Sequence, residues 1–199
     1  MRPSSPIARR SPRSRAVVPP ACLALLACLA LLTACGTATR TALPDTPSVS
    51  GPARPDTPTS TAEVDVQRDG AEPAVVTGVR YAAHDTYDRV VVDLKGEIPG
   101  YNVTWVEQFL QSGSGEPIEV RGGAYLQLTL FPANAHDESG RPTWGGGPVF
   151  PADLGNLTEV VRTGDFEGHV GIGLVLARQA AFQLNEQGGP NRLIIDVAH

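Results

Sequence analysis

The chain is short of cysteine, lysine and aromatic residues, and each shortage closes off a class of function. Its three cysteines, Cys22, Cys28 and Cys35, all lie near the N-terminus. The remainder therefore has no thiol for nucleophilic catalysis, no cysteine set for zinc and no internal disulfide. Lys95 is the only lysine, and 21 acidic residues face 16 basic ones, a net charge of −5. That balance lacks the basic footprint that binding to nucleic acid demands. The two tryptophans, Trp105 and Trp144, are scarce enough that the position of each is informative. Also missing are a Gly-x-Ser-x-Gly elbow, a His-Glu-x-x-His pair, a Walker loop and a dinucleotide fingerprint. The chain thus reads as non-enzymatic, with no cofactor and no bound metal expected.

The first forty residues are more explicit. Arg2, Arg9, Arg10, Arg13 and Arg15 precede an apolar run from Ala16 to Leu32, with no acidic residue among them. This is the charged n-region and apolar h-region of an export signal; interrupted by Pro19 and Pro20, it falls short of the roughly 20 apolar residues of a membrane-spanning helix. It ends in Leu32-Thr33-Ala34-Cys35-Gly36, which resembles the lipobox of bacterial lipoproteins. The expectation is cleavage after residue 34 and acylation of Cys35, so that a diacylglyceryl group holds the protein in the lipid bilayer on the outer face of the cell membrane. The remaining chain keeps 11 basic and 21 acidic residues, a net charge of −10.

Residues 35–73 are dominated by Thr, Ser, Pro, Ala and Asp, with too little apolar surface to offset the entropy of ordering. They read as a disordered tether, and about 38 flexible residues give an r.m.s. span of about 35 Å. Residues 74–199 are long enough for one domain with its own core. Val75–Tyr81 and Asp88–Leu94 read as a hairpin turned at His84-Asp85-Thr86. Further strands are expected at 101–106, 118–120, 124–131, 158–166, 170–176, 180–184 and 192–197, the 180–184 stretch having a short helix over 178–186 as its alternative. In 124–131, Ala124, Leu126, Leu128 and Leu130 share one face, and Tyr125, Gln127, Thr129 and Phe131 the other. Short strands between Gly/Pro turns, without sustained helical periodicity, predict an all-β fold: an antiparallel β-sandwich or partly open barrel of about eight strands. Gly171-Ile172-Gly173 inside an apolar strand pattern marks close packing or a bulge.

Several segments carry a family likeness. Val76-Thr77-Gly78-Val79-Arg80, His84-Asp85-x-Tyr87-Asp88-Arg89-Val90-Val91-Val92-Asp93 and Gly100-Tyr101-x-Val103 come first; Phe166-Glu167-Gly168-His169-Val170-Gly171-Ile172-Gly173-Leu174 and Pro190-Asn191-Arg192-Leu193-Ile194-Ile195-Asp196-Val197 follow. In this order they resemble the AMIN-like domains of actinobacterial lipoproteins, with a more distant similarity to the AMIN domains of cell-wall amidases and secretins. The resemblance implies a β-sandwich that acts as a non-catalytic targeting module with affinity for peptidoglycan or other envelope components. It transfers no catalytic or ligand residue.

Candidate binding residues therefore rest on residue chemistry. Trp144 lies in the long loop from Pro132 to Asn156, beside Gly145-Gly146-Gly147, where binding residues collect; with Tyr101 and Tyr125 it offers flat faces for sugar rings or peptides. Trp105 and Phe150 suit either that role or the core. His84-Asp85 and His136-Asp137 sit in predicted loops, and each pair suits a metal or a base with its orienter, or else solvated turns. Asp88, Arg89, Asp93, Arg192 and Asp196 bracket the most apolar strands, either as a recognition patch or as edge charges and ion pairs that blunt sheet edges against aggregation. The leading expectation is a lipid-anchored module that binds peptidoglycan or another envelope component. The alternatives are a module that docks on envelope proteins and, if the His-Asp loops converge, a metal-dependent hydrolase.

Overall fold

The computed structural model describes residues 57–70 and 72–199. The expected export signal, Cys35 and most of the expected tether lie outside the described residues. Eleven strands follow in order: β1 (Val64–Val66), β2 (Ala74–Ala83), β3 (Tyr87–Lys95), β4 (Gly100–Val106), β5 (Ala124–Phe131), β6 (Ala133–Asn134), β7 (Val149–Pro151), β8 (Leu157–Phe166), β9 (His169–Leu176), β10 (Phe182–Gln187) and β11 (Arg192–Ala198). They form a six-stranded sheet in the order β1-β4-β5-β9-β8-β7 and a five-stranded sheet in the order β10-β11-β3-β2-β6. Only β2 and β6 pair in parallel. The result is the expected β-sandwich, not closed into a barrel.

Alternation decides which side chains enter the core. In β3, Val90, Val92 and Leu94 point inward while Arg89, Val91 and Asp93 point out; in β5, Leu126, Leu128 and Leu130 are fully buried. Each such side chain contributes about 1.5–3 kcal/mol on burial, so the two inner faces, with Leu193, Ile195 and Val197 from β11, dominate stability. The β2–β3 hairpin forms as the sequence predicts, closed by a 2.8 Å bond from His84 N–H to the Tyr87 carbonyl. Between β8 and β9, Glu167 and Gly168 both adopt left-handed φ, 49° and 75°, as a two-residue hairpin of matching twist requires.

A smaller apolar cluster covers the outer face of the six-stranded sheet. Phe109, Val161 and Val175 are buried there, with Ile118, Val120 and Tyr125 packed against them. Gly173 makes room: a Cβ at that position would meet the Phe109 ring at 2.6 Å. The 118–120 strand expected from its apolar alternation does not form. Ile118 and Val120 serve the cluster instead, and the backbone nearby makes only an isolated Leu110–Pro117 bridge. The short helix considered over 178–186 is also absent, because Phe182–Gln187 pairs with β11.

Charges flanking the apolar strands do form ion pairs, Arg89–Asp196 and Arg192–Asp93, but not at a sheet edge. Both β3 and β11 lie inside the five-stranded sheet, and Asp88 and Asp196 are completely buried. Asp196 receives two bonds from Arg89, of 2.7 and 2.9 Å. Asp88 accepts from the N–H groups of Asn156 (2.6 Å) and Leu157 (2.8 Å) and faces His199 Nε2 at 3.0 Å.

The expected tether does not extend to residue 73, because residues 57–70 are ordered against the sandwich. Residues 57–70 form a strap across one open side of the sandwich, touching an edge of each sheet. The Ser60 carbonyl accepts from Phe182 N–H (2.7 Å) in β10, the Thr61 carbonyl accepts from Trp105 Nε1 (2.9 Å), and β1 pairs with β4. Arg68 then makes two 2.7 Å bonds to Glu186 and one of 2.8 Å to the Ile98 carbonyl. A chain beginning at residue 74 lacks all of this; it is expected to melt about 5 °C or more below a chain beginning at residue 57. Equal melting temperatures in a circular-dichroism scan would show the strap to be dispensable.

Beneath the strap, Tyr101 donates a 2.8 Å bond to Glu186. Burial first, and the Glu186 carboxylate second, push its hydroxyl up to about 12. In the unfolded chain the phenol ionises near its ordinary value of about 10, while the folded chain holds the proton. Stability from this group is complete below about pH 10 and is lost as pH rises through the folded value. Thermal melts across that interval should show a decline that Tyr101→Phe flattens; an identical slope in the variant would clear the phenol of any part in it.

Candidate functional site

β8 carries the chemistry of the best-formed groove. Arg162, Thr163, Gly164 and Asp165 follow one another along its second half, and a register shift between Arg162 and Gly164 leaves Thr163 without a partner in β9 while pairing resumes at Gly164. Opposite them lie Gln111 and Ser112, from the segment after β4, and His136, from the loop after β6; together they line a groove of about 660 Å³. Ser112 N–H bonds the Thr163 carbonyl at 2.9 Å, and its side chain occupies the space left by the missing Cβ of Gly164. Such backbone contacts hold the polar groups in place before any ligand arrives.

The centre of the groove is a carboxylate–imidazole pair. Asp165 Oδ2 contacts His136 Nδ1 at 2.5 Å and accepts from Ala135 N–H at 3.0 Å. The carboxylate thereby sets the orientation of the ring, whose side chain stays 43% exposed, and leaves its second nitrogen for a ligand. On the far side of the same ring, a second depression of about 510 Å³ is lined by Lys95, Asp137, Glu138 and Arg141. Asp137 is occupied locally: it accepts from Arg141 and Ser139, and the Arg141 N–H bond above all holds its carboxyl below the usual carboxylate range.

Among the residues singled out from sequence, His136 is thus placed at a groove, but its partner is Asp165 rather than the adjacent Asp137. His84 stacks on Tyr87 at 4.6 Å and lines a separate depression with Asp85. The two His-Asp loops do not converge, and among the described residues no three His, Cys, Asp or Glu gather as metal ligands do. The metal-hydrolase alternative loses the convergence on which it depended.

The aromatic candidates are mostly internal. Trp144 is only 6% exposed; it stacks on Phe150 at 4.8 Å, and the Arg162 guanidinium sits 5.9 Å above it while bonding its carbonyl at 2.7 Å. It is the internal post of the long loop and not a binding face. Tyr101, 7% exposed, belongs to the core. Tyr125 packs edge-on against Phe109 at 5.4 Å, its hydroxyl bonded to the backbone at Val120 and Gly122. The exposed aromatic rings are instead Phe131 and Phe166. Phe131 was marked by its place on the non-core face of β5; Asp165 carried no comparable local signal.

Comparison with known proteins agrees with this architecture. A family model, the AMIN-like domain, matches residues 74–199, which is the sandwich without its strap. Searches of curated proteins and of solved structures found no match. With the family model covering well over half of its length, the chain belongs to the AMIN-like domain family and carries a module of the cell envelope.

Proposed function

We propose that this protein is a lipid-anchored, extracytoplasmic binding module that recognises peptidoglycan, with the His136–Asp165 groove as its contact site. Three observations support the reading. The family is one of the cell envelope. Residues 1–36 carry the basic stretch, apolar run and lipobox-like ending that suit export and acylation at Cys35. Groups of both charge signs, Asp165 and Glu138 with Arg141 and Lys95, lie on either side of one imidazole, a layout that suits the amines, amides and carboxylates of wall peptides. The groove carries the reading, because its donors and acceptors are held by the backbone and need little ordering on binding.

A binding role fits the groove better than catalysis. A nucleophile requires a base within hydrogen-bond reach, whereas the Thr163 hydroxyl accepts from the Gln127 amide at 3.0 Å and makes no hydrogen bond to His136.

Full-length protein in detergent, mixed with isolated peptidoglycan and sedimented, should be retained. His136→Ala and Asp165→Asn should each weaken retention by about tenfold, a loss of about 1.4 kcal/mol. Failure of the wild type to sediment, or undiminished retention of both variants, would overturn the assignment. Separately, Cys35→Ser should shift the protein from the membrane fraction to the soluble one; unchanged fractionation would remove the lipid anchor from the reading.

A further inference from the structure

A second polar surface lies on the outer face of the six-stranded sheet and shares no residue with the lining of the His136 groove. Asp65 on β1 pairs in register with Asn102 on β4, Asn102 with Thr129 on β5, and Thr129 with Gly171 on β9. Their neighbours along each strand, Val64, Val66, Tyr101, Val103, Leu128 and Leu130, belong to the core, so strand alternation turns the polar row outward. Two residues along β5, Phe131 is 50% exposed and stacks on His169 with centroids 4.3 Å apart and planes 19° from parallel. Phe131, His169, Asn102, Thr129, Asp65 and Gln67 share a depression of about 190 Å³.

A lone exposed phenylalanine calls for no explanation. This one is held flat by a stacked imidazole and stands beside an amide and a hydroxyl, Asn102 and Thr129, whose side chains make no hydrogen bond to another described residue. At the far end Asp65 is bonded by Gln67 at 2.6 Å, which leaves carboxylate lone pairs as acceptors. The depression is smaller than the roughly 300–1,000 Å³ of sites that enclose a drug-sized ligand, so it fits one ring. Asp65 is its one carboxylate and it has no Lys or Arg, which disfavours an anionic ligand.

We infer that this surface is a saccharide subsite. The apolar C–H face of a sugar ring lies on Phe131, and its hydroxyl or acetamido groups bond Asn102, Thr129 and Asp65. A sugar ring has the required shape, an apolar face with a rim of donors and acceptors, and the amide of Asn102 offers both roles at once. The subsite does not depend on the His136 groove, and each can fail without the other.

The test uses a peptide-free glycan, the β-1,4-linked tetramer of N-acetylglucosamine, titrated calorimetrically into the full-length chain in a detergent without a sugar headgroup. The wild type should bind. Phe131→Ala should weaken binding by at least about tenfold and Asn102→Ala by about fivefold, while Phe131→Tyr retains it. Leu110→Ala, at an exposed apolar residue elsewhere, should bind as the wild type does. Absence of heat with the wild type, or equal affinity in a Phe131→Ala variant of unchanged melting temperature, would overturn the saccharide subsite and leave the peptidoglycan assignment of the His136 groove standing. Loss of tetramer binding in His136→Ala with retention in Phe131→Ala would place the sugar in the other groove and equally overturn it.

Discussion

The arrangement turns on one buried carboxylate. Asp88 opens β3 in the five-stranded sheet, yet its oxygens are satisfied by the N–H groups of residues 155–157, at the start of β8 in the six-stranded sheet. An isolated carboxylate taken out of water is prohibitively costly, so the acid and the loop can be buried only together. Asn156 extends the junction, bonding the Ala198 and Arg178 carbonyls and accepting from Arg178 N–H. This polar knot sets where β8 begins. The position of Arg162 to Asp165 along that strand, and with it the groove, follows from it.

From the knot outward, the long loop between β6 and β8 explains itself. A connection of this length needs its own packing to hold one shape, and Trp144 on Phe150 provides it. Arg162 bonds the Trp144 and Gly146 carbonyls through its side chain and the Pro148 carbonyl through its N–H, so one strand residue holds both ends of the glycine run. His136 is then held from the opposite side by Asp165. Loop and groove are a single construction, in which an aromatic residue works from the inside and an imidazole from the outside.

Much of this architecture was written locally. Alternation in Tyr87–Lys95 and Ala124–Phe131, turn chemistry at His84–Thr86 and the glycine pair at 171 and 173 each act within a few residues, so pattern and propensity reveal them. What stayed hidden depends on distant partners. The strap looks like a tether because Val64 and Val66 are too few to stand out among Thr and Pro; their value comes from β4, which they meet only in the fold. Trp144 in a glycine-rich loop has the chemistry of a binding residue, and burial under Arg162 reverses that role. The partner of His136 lies 29 residues onward, a pairing with no local trace, whereas Asp137 beside it was the obvious but wrong choice.

The strap has a mechanical meaning. Because it reaches both sheets before the chain enters β2, a pull delivered at Thr57 is borne first by its bonds to Thr86, Phe182 and Trp105 and by the three paired residues of β1, and only then by the hydrophobic interior. Tension applied from the N-terminal side would peel this seam open while the sandwich behind it stays intact, making the N-terminal edge a yielding element in series with a stiff body.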